Sequence, residues 1–156
     1  MTEPLTPGSK APSFSLPQDG GGEISLSDFA GQNLVLYFYP KADTPGCTRE
    51  AQAFSKLRAA FQRAGTAILG VSADPVKAQD KFKAKYGLSI PLASDETHKM
   101  LNAYGVWGEK SMYGRKYLGV MRVTYLIDKK GKVARAWPKV SVDGHAEEVL
   151  EAAKAL

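Results

Sequence analysis

Asn33-Leu34-Val35-Leu36-Tyr37-Phe38-Tyr39, followed by Pro40-Lys41-Ala42-Asp43-Thr44-Pro45-Gly46-Cys47, is the stretch from which the rest of the chain is read. The first seven residues form an unbroken apolar and aromatic run, the pattern of a buried strand. Pro40 ends it, and Thr44-Pro45 is a helix-start signal, with threonine as N-cap and proline at the first helical position. Cys47 then falls in the first helical turn, where backbone N–H groups lack partners within the helix and the dipole favours negative charge. Such a place favours the thiolate, the nucleophilic form of cysteine. Cys47 is the only cysteine in the sequence.

Downstream, Phe54, Leu57 and Phe61 predict one helix over residues 48–64, closed by Gly65 in a left-handed cap. Thr66–Val71 reads as a second buried strand. Asp74-Pro75 opens a helix whose Ala78, Phe82 and Tyr86 share a face before Gly87 ends it. This alternation predicts an α/β fold, with helices on both faces of a mixed sheet. Upstream, residues 11–17 and 23–26 flank the Gly20-Gly21-Gly22 turn as an N-terminal β-hairpin, and Ser27–Gly31 reads as one helical turn. Residues 1–11, polar and proline-containing, are expected to be a loose arm on a single domain of 1–156.

Beyond Gly87, Ile90–Ala93 is a short strand near a sheet edge, and Met100, Leu101 and Tyr104 mark a helix. Residues 105–119 are expected to be mostly loop. Residues 118–127 form one long strand, turning at Asp128-Lys129-Lys130-Gly131 into the partner 133–137. Asp143 is expected to cap a last helix with Val149, Leu150, Ala153 and Leu156 on its inner face.

The string Pro40-x-x-x-Thr44-x-x-Cys47 resembles the peroxidatic motif of peroxiredoxins. The fuller run Tyr37-Phe38-Tyr39-Pro40-Lys41, with Thr44-Pro45-Gly46-Cys47-Thr48 and Glu50, is similar to the PrxQ branch, also called bacterioferritin comigratory proteins. The resemblance extends over nearly the whole chain and implies a thioredoxin-like fold. It also implies a thiol-dependent peroxidase that acts on hydrogen peroxide and organic hydroperoxides. Arg122 lies in a strand similar to the one bearing the peroxiredoxin active-site arginine, which gives it a catalytic role. From spacing alone it reads equally as an outward-facing edge residue. Thr44 can hold the peroxide or the thiolate through its hydroxyl, a role compatible with capping. Pro40 shields the thiolate from water. Glu50 braces Arg122 or Arg49, a surface ion pair being the alternative.

The chain departs from the family at one position. Many PrxQ proteins place a resolving cysteine five residues after the first, where this chain has Gln52. Resemblance therefore implies a 1-Cys mechanism, in which Cys47 becomes a sulfenic acid and an external thiol reduces it. Thioredoxin, glutaredoxin with glutathione, or a similar thiol would serve. A peroxide sensor or redox-regulated binding module with little turnover is the alternative. The intact Pro40, Thr44, Cys47 and Arg122 set argues against a non-catalytic scaffold.

Lysine and arginine total 21 against 16 acidic residues, for a net charge of +5. Nine of the basic residues lie between Glu109 and Lys139, with two acids. Lys129, Lys130 and Lys132 read as an exposed hairpin tip, so a solvated surface is expected and nucleic-acid binding is not. Neither His98 nor His145 sits in a metal or triad pattern, and both are assigned to surface or capping duty. No metal, cofactor or membrane association is expected. A cytoplasmic protein is expected, since no signal-peptide pattern opens the sequence and no apolar run approaches the ~18 residues of a membrane span. A monomer is the expected form, with a weak dimer as the alternative.

Overall fold

The computed structural model describes residues 3–156, apart from the side chain of Met112. A five-stranded mixed sheet runs through its centre. It comprises β3 (Asn33–Phe38), β4 (Thr66–Ser72), β5 (Leu92–Ser94), β8 (Val123–Ile127) and β9 (Val133–Trp137) in the order β5-β4-β3-β8-β9. β3 is parallel to β4 and antiparallel to β8, with Tyr37 opposite both Gly70 and Thr124. Buried along its whole length, β3 divides its side chains between two cores. Leu34, Leu36 and Phe38 pack with Leu69, Val71 and Tyr125 on one face. Val35, Tyr37 and Tyr39 pack with Phe54, Phe61 and Leu126 on the other.

Helices cover both faces, unevenly. α1 (Pro45–Lys56), α2 (Arg58–Arg63), α3 (Val76–Tyr86) and α5 (His145–Lys154) bring Phe54, Phe61, Phe82 and Val149 to the second core. The first core receives Met100 and Leu101 from α4 (Lys99–Ala103). It also receives Leu16 and Ile24 from the hairpin of β1 (Ser15–Pro17) and β2 (Glu23–Ser25). The helix expected over residues 48–64 is two helices that meet at Leu57. There the backbone N–H is shared among the carbonyls of Ala53, Phe54 and Ser55, a shift of pairing that the apolar spacing does not register. Among the described residues no helix is long and apolar enough to cross a membrane.

Further expectations are corrected. Residues 105–119 are not mostly loop, because β6 (Trp107–Met112) and β7 (Arg115–Val120) form a second antiparallel hairpin. The strand expected over 118–127 is accordingly split, its first half serving β6 and its second half the central sheet. Arg122 falls in the break between them. The arm, of which residues 1 and 2 lie outside the described residues, is tied down from Leu5 onward. Leu5 N–H donates to the Tyr125 hydroxyl, Gly8 N–H to the Val133 carbonyl and Ala11 N–H to the Gly131 carbonyl. The backbone bonds, with one from Val133 N–H to the Ser9 carbonyl, hold the arm against the start of β9 and the turn before it. At the C-terminal end Gly144 holds the N-cap position of α5 in place of Asp143, and Leu156 is exposed.

Candidate active site

The loop and helix that carry Pro40, Thr44, Cys47 and Glu50 follow the end of β3. Tyr39 N–H donates to the Val71 carbonyl, and Pro40 then turns the chain out of the sheet with no N–H of its own to offer a neighbouring sulfur. The loop that follows is pinned from beneath. Ala42 N–H donates to Asp74 Oδ2 at 2.8 Å, and the Ser72 hydroxyl donates to the same oxygen at 2.7 Å. Ser72 in turn accepts from the amide of fully buried Gln79 at 2.8 Å, whose oxygen accepts from the Tyr39 hydroxyl at 2.5 Å. Asp43, in the left-handed region at φ 59°, accepts from the Tyr86 hydroxyl and Lys85 Nζ on α3.

Thr44 occupies the N-cap position of α1 in extended conformation, but its hydroxyl makes no capping bond. It donates instead to the Lys41 carbonyl at 2.8 Å, which leaves the oxygen's lone pairs to accept from a ligand. Cys47 lies in the first turn, as the sequence predicts, and is 1% exposed. Arg122 reaches it from the break between β7 and β8. Nη2 donates to Cys47 Sγ at 3.4 Å, and Nη1 donates to Glu50 Oε1 at 2.7 Å. Of the two partners considered for Glu50, the structure places it on Arg122, while Arg49 pairs on the surface with Asp143.

Glu50 is itself buried, and its second oxygen, Oε2, has no hydrogen-bond partner among the described residues. Burial pushes its carboxyl up to about 7, against the pull of Arg122 in the opposite direction. One guanidinium thus spans the sulfur and a carboxylate, a use of the planar fork that lysine lacks. The cluster can hold a negative charge on sulfur and present donors and acceptors to two oxygen atoms beside it. Gln52 is on α1 but faces solvent.

Two features of the site escape sequence reasoning. A Cβ on Gly46 would lie 3.1 Å from Arg122 Nη2, so this residue sits directly beneath the guanidinium. His145, assigned above to the surface or to a cap, is a correction. It opens α5 but is buried, with Nε2 2.9 Å from the Thr124 hydroxyl and its ring against the edges of Phe54 and Trp137. Burial pushes it down to about 4, opposed by Glu148 and Glu147 and reinforced by Arg122, so it is neutral at pH 7. His98 behaves as expected, partly exposed at the N-cap position of α4 and stacked on Trp107.

Residues 7–136 match the AhpC/TSA family model. A putative peroxiredoxin Bcp of Coxiella burnetii is 48% identical over 143 residues, which cover 92% of this chain and 95% of the relative. Escherichia coli peroxiredoxin Bcp is 41% identical over 147 residues, or 94% of each chain. Among solved structures, Xanthomonas campestris peroxiredoxin Q aligns with a TM-score of 0.86 at 48% identity, covering 91% of this chain and 90% of its own. A bacterioferritin comigratory protein from the same organism, described for its alkyl peroxide reduction activity, aligns at 0.88 and 44% identity over 99% of this chain and 98% of its own. These likenesses extend over the thioredoxin-like sheet, the N-terminal hairpin and the Cys47 helix alike, and the chain belongs to the AhpC/TSA family, in its peroxiredoxin Q (Bcp) branch, without the resolving cysteine usual there.

Proposed function

We propose that this thiol-dependent peroxidase works by a single-cysteine cycle on Cys47, reducing hydrogen peroxide and organic hydroperoxides with electrons from an external thiol. The observation that carries this reading is the Arg122 bridge between Cys47 Sγ and Glu50. A guanidinium fixed by a buried carboxylate stays in place beside the sulfur as charge moves from sulfur to oxygen. The Cys47 thiolate attacks the nearer peroxide oxygen, the O–O bond breaks, and the other oxygen leaves as hydroxide or alkoxide and takes up a proton. Sulfur is oxidised to sulfenic acid as the peroxide is reduced to water or alcohol. In this reading Thr44 accepts the hydroperoxide proton in a hydrogen bond, its own hydrogen being committed to Lys41. Pro40 keeps a competing backbone donor from the sulfur.

Regeneration uses an outside thiol, because Cys47 is the only cysteine. That thiol forms a mixed disulfide with loss of water, and a second thiol releases Cys47. Thioredoxin and glutaredoxin with glutathione are the reductant classes we propose, for a monomer working in a reducing compartment such as the cytoplasm. The same lack of an internal resolver supports a second reading, in which the lasting sulfenic acid signals to a partner.

Treating the reduced protein with one equivalent of hydrogen peroxide should add one oxygen atom at Cys47 by intact mass. Thioredoxin or glutaredoxin systems should then sustain turnover. Oxidation without turnover by any thiol would favour the sensor, and no addition at Cys47 would overturn both.

A further inference from the structure

The hairpin of β6 and β7 carries a partly buried lysine that no carboxylate pairs with among the described residues. Lys110, opposite Tyr117 in the register, extends across Gly119. A Cβ at Gly119 would meet Lys110 Cδ at 3.2 Å and the Tyr117 ring at 3.5 Å. A side chain there would crowd the lysine stem, which would have to give by a few tenths of an ångström. Lys110 Nζ ends on the Val120 carbonyl at 3.0 Å, two residues before Arg122. Its neighbour Glu109 interacts instead with Lys116, at 3.6 Å. Burial holds the amine below its ordinary value, the Arg122 charge lowers it further and Cys47 opposes them.

We propose that Lys110 is a specificity-determining residue, which draws hydroperoxides bearing a carboxylate into the site by binding that carboxylate while the peroxide reacts at Cys47. This rests on Cys47 being the peroxide-reactive centre. Arg122 is already committed, one nitrogen to Glu50 and the other to the sulfur. Lys110 uses one of three ammonium donors on Val120, which leaves two for a ligand. A partly desolvated ammonium attracts an anion more strongly than a fully hydrated one. Hydrogen peroxide and uncharged alkyl hydroperoxides have nothing for it to hold, so its effect is selective. The rest of the hairpin suits an organic substrate, with Tyr117 partly exposed beside the lysine stem.

The probes are a tertiary alkyl hydroperoxide with a carboxylate four carbons from the peroxide, its methyl ester, and hydrogen peroxide, compared by kcat/KM. The wild-type protein should prefer the acid over the ester by about tenfold at low salt, with the preference shrinking as ionic strength rises. Lys110→Met should remove that preference through KM while leaving kcat, the ester and hydrogen peroxide within about twofold of wild type. Lys110→Arg should retain it. Equal rates for acid and ester in the wild-type protein would overturn the proposal whether or not any variant folds. So would Lys110→Met lowering all three substrates alike. Failure of the underlying peroxidase reading would be seen separately, as loss of turnover with hydrogen peroxide itself.

Discussion

Gly46 and Arg122 are packed so closely that residue 46 has no room for a methyl group unless the guanidinium moves: a Cβ there would lie 3.1 Å from Nη2 and 3.8 Å from Cζ. The glycine is inside α1, where it weakens the helix, yet it forms the floor under the group that touches the sulfur. Local stability and the active site make opposite demands on this position.

Gly46→Ala should separate those demands. Alanine is the better helix former, by less here at the second residue of α1 than the ~1 kcal/mol of a helix interior, so the variant should melt close to the wild-type temperature. Displacing Arg122 from Cys47 should slow peroxide reduction roughly tenfold, a part of what removal of a well-placed charge donor costs. Thermal unfolding and stopped-flow peroxide consumption on the same preparation check both. An unchanged rate would show that the guanidinium has another place to sit.

Glu50 makes stability depend on pH in an uncommon direction. Its carboxyl is raised from an ordinary 4.5 to about 7, so between those values the folded protein binds more protons than the unfolded chain. Stability attributable to Glu50 is therefore fully present below about pH 4.5 and is lost as pH rises through 7, by ~3 kcal/mol at most. Buried His145 acts in the opposite sense, with stability present above 6.5 and lost as pH falls through about 4. The difference in unfolding free energy between wild type and Glu50→Gln isolates the first effect. Relative to wild type, the variant should gain stability steadily from pH 4.5 to 7.5. A flat difference would place the Glu50 titration elsewhere.

What could be read from the sequence was whatever apolar periodicity and turn chemistry carry. The run from Leu34 to Phe38, the Thr44-Pro45 start and the Phe82 face of α3 place the sheet, Cys47 and its loop correctly. The β6–β7 hairpin was missed because Glu109, Lys110, Ser111, Arg115 and Lys116 put polar groups on both of its faces, so no alternation signals a strand. The break at Met121-Arg122 is silent in a run that stays apolar from Val120 to Ile127 save for Arg122 and Thr124. The arm from Leu5 to Ala11 docks through backbone groups of Gly8, Ser9 and Ala11, which leave no trace in side-chain pattern. His145 lies one turn before Val149, yet a lone histidine at a helix start reads as a cap until Phe54 and Trp137 are seen around it.

Gln52→Cys should restore a resolving thiol, but only with unwinding. Five residues of α-helix separate the Cα atoms by about 8.6 Å and turn the side chains some 140° apart, beyond the ~7 Å at which a disulfide closes without backbone movement. Cys47 is buried and Gln52 exposed on the same helix, in keeping with that divergence. Peroxide-treated Gln52→Cys protein should form an internal disulfide and lose helical signal, while its reduced form matches wild type. A sulfenic acid that accumulates with no bond to the new thiol would show that the first turn of α1 does not open.

Peroxide turnover by Cys47→Ser tests the central claim most directly. The substitution is nearly isosteric and breaks no disulfide, and the circular dichroism spectrum should match that of wild type. With no second cysteine to take over, hydrogen peroxide consumption in the presence of a thiol reductant should fall to the rate without enzyme. Turnover comparable to wild type in a folded Cys47→Ser protein would contradict the account and move the chemistry to some other group.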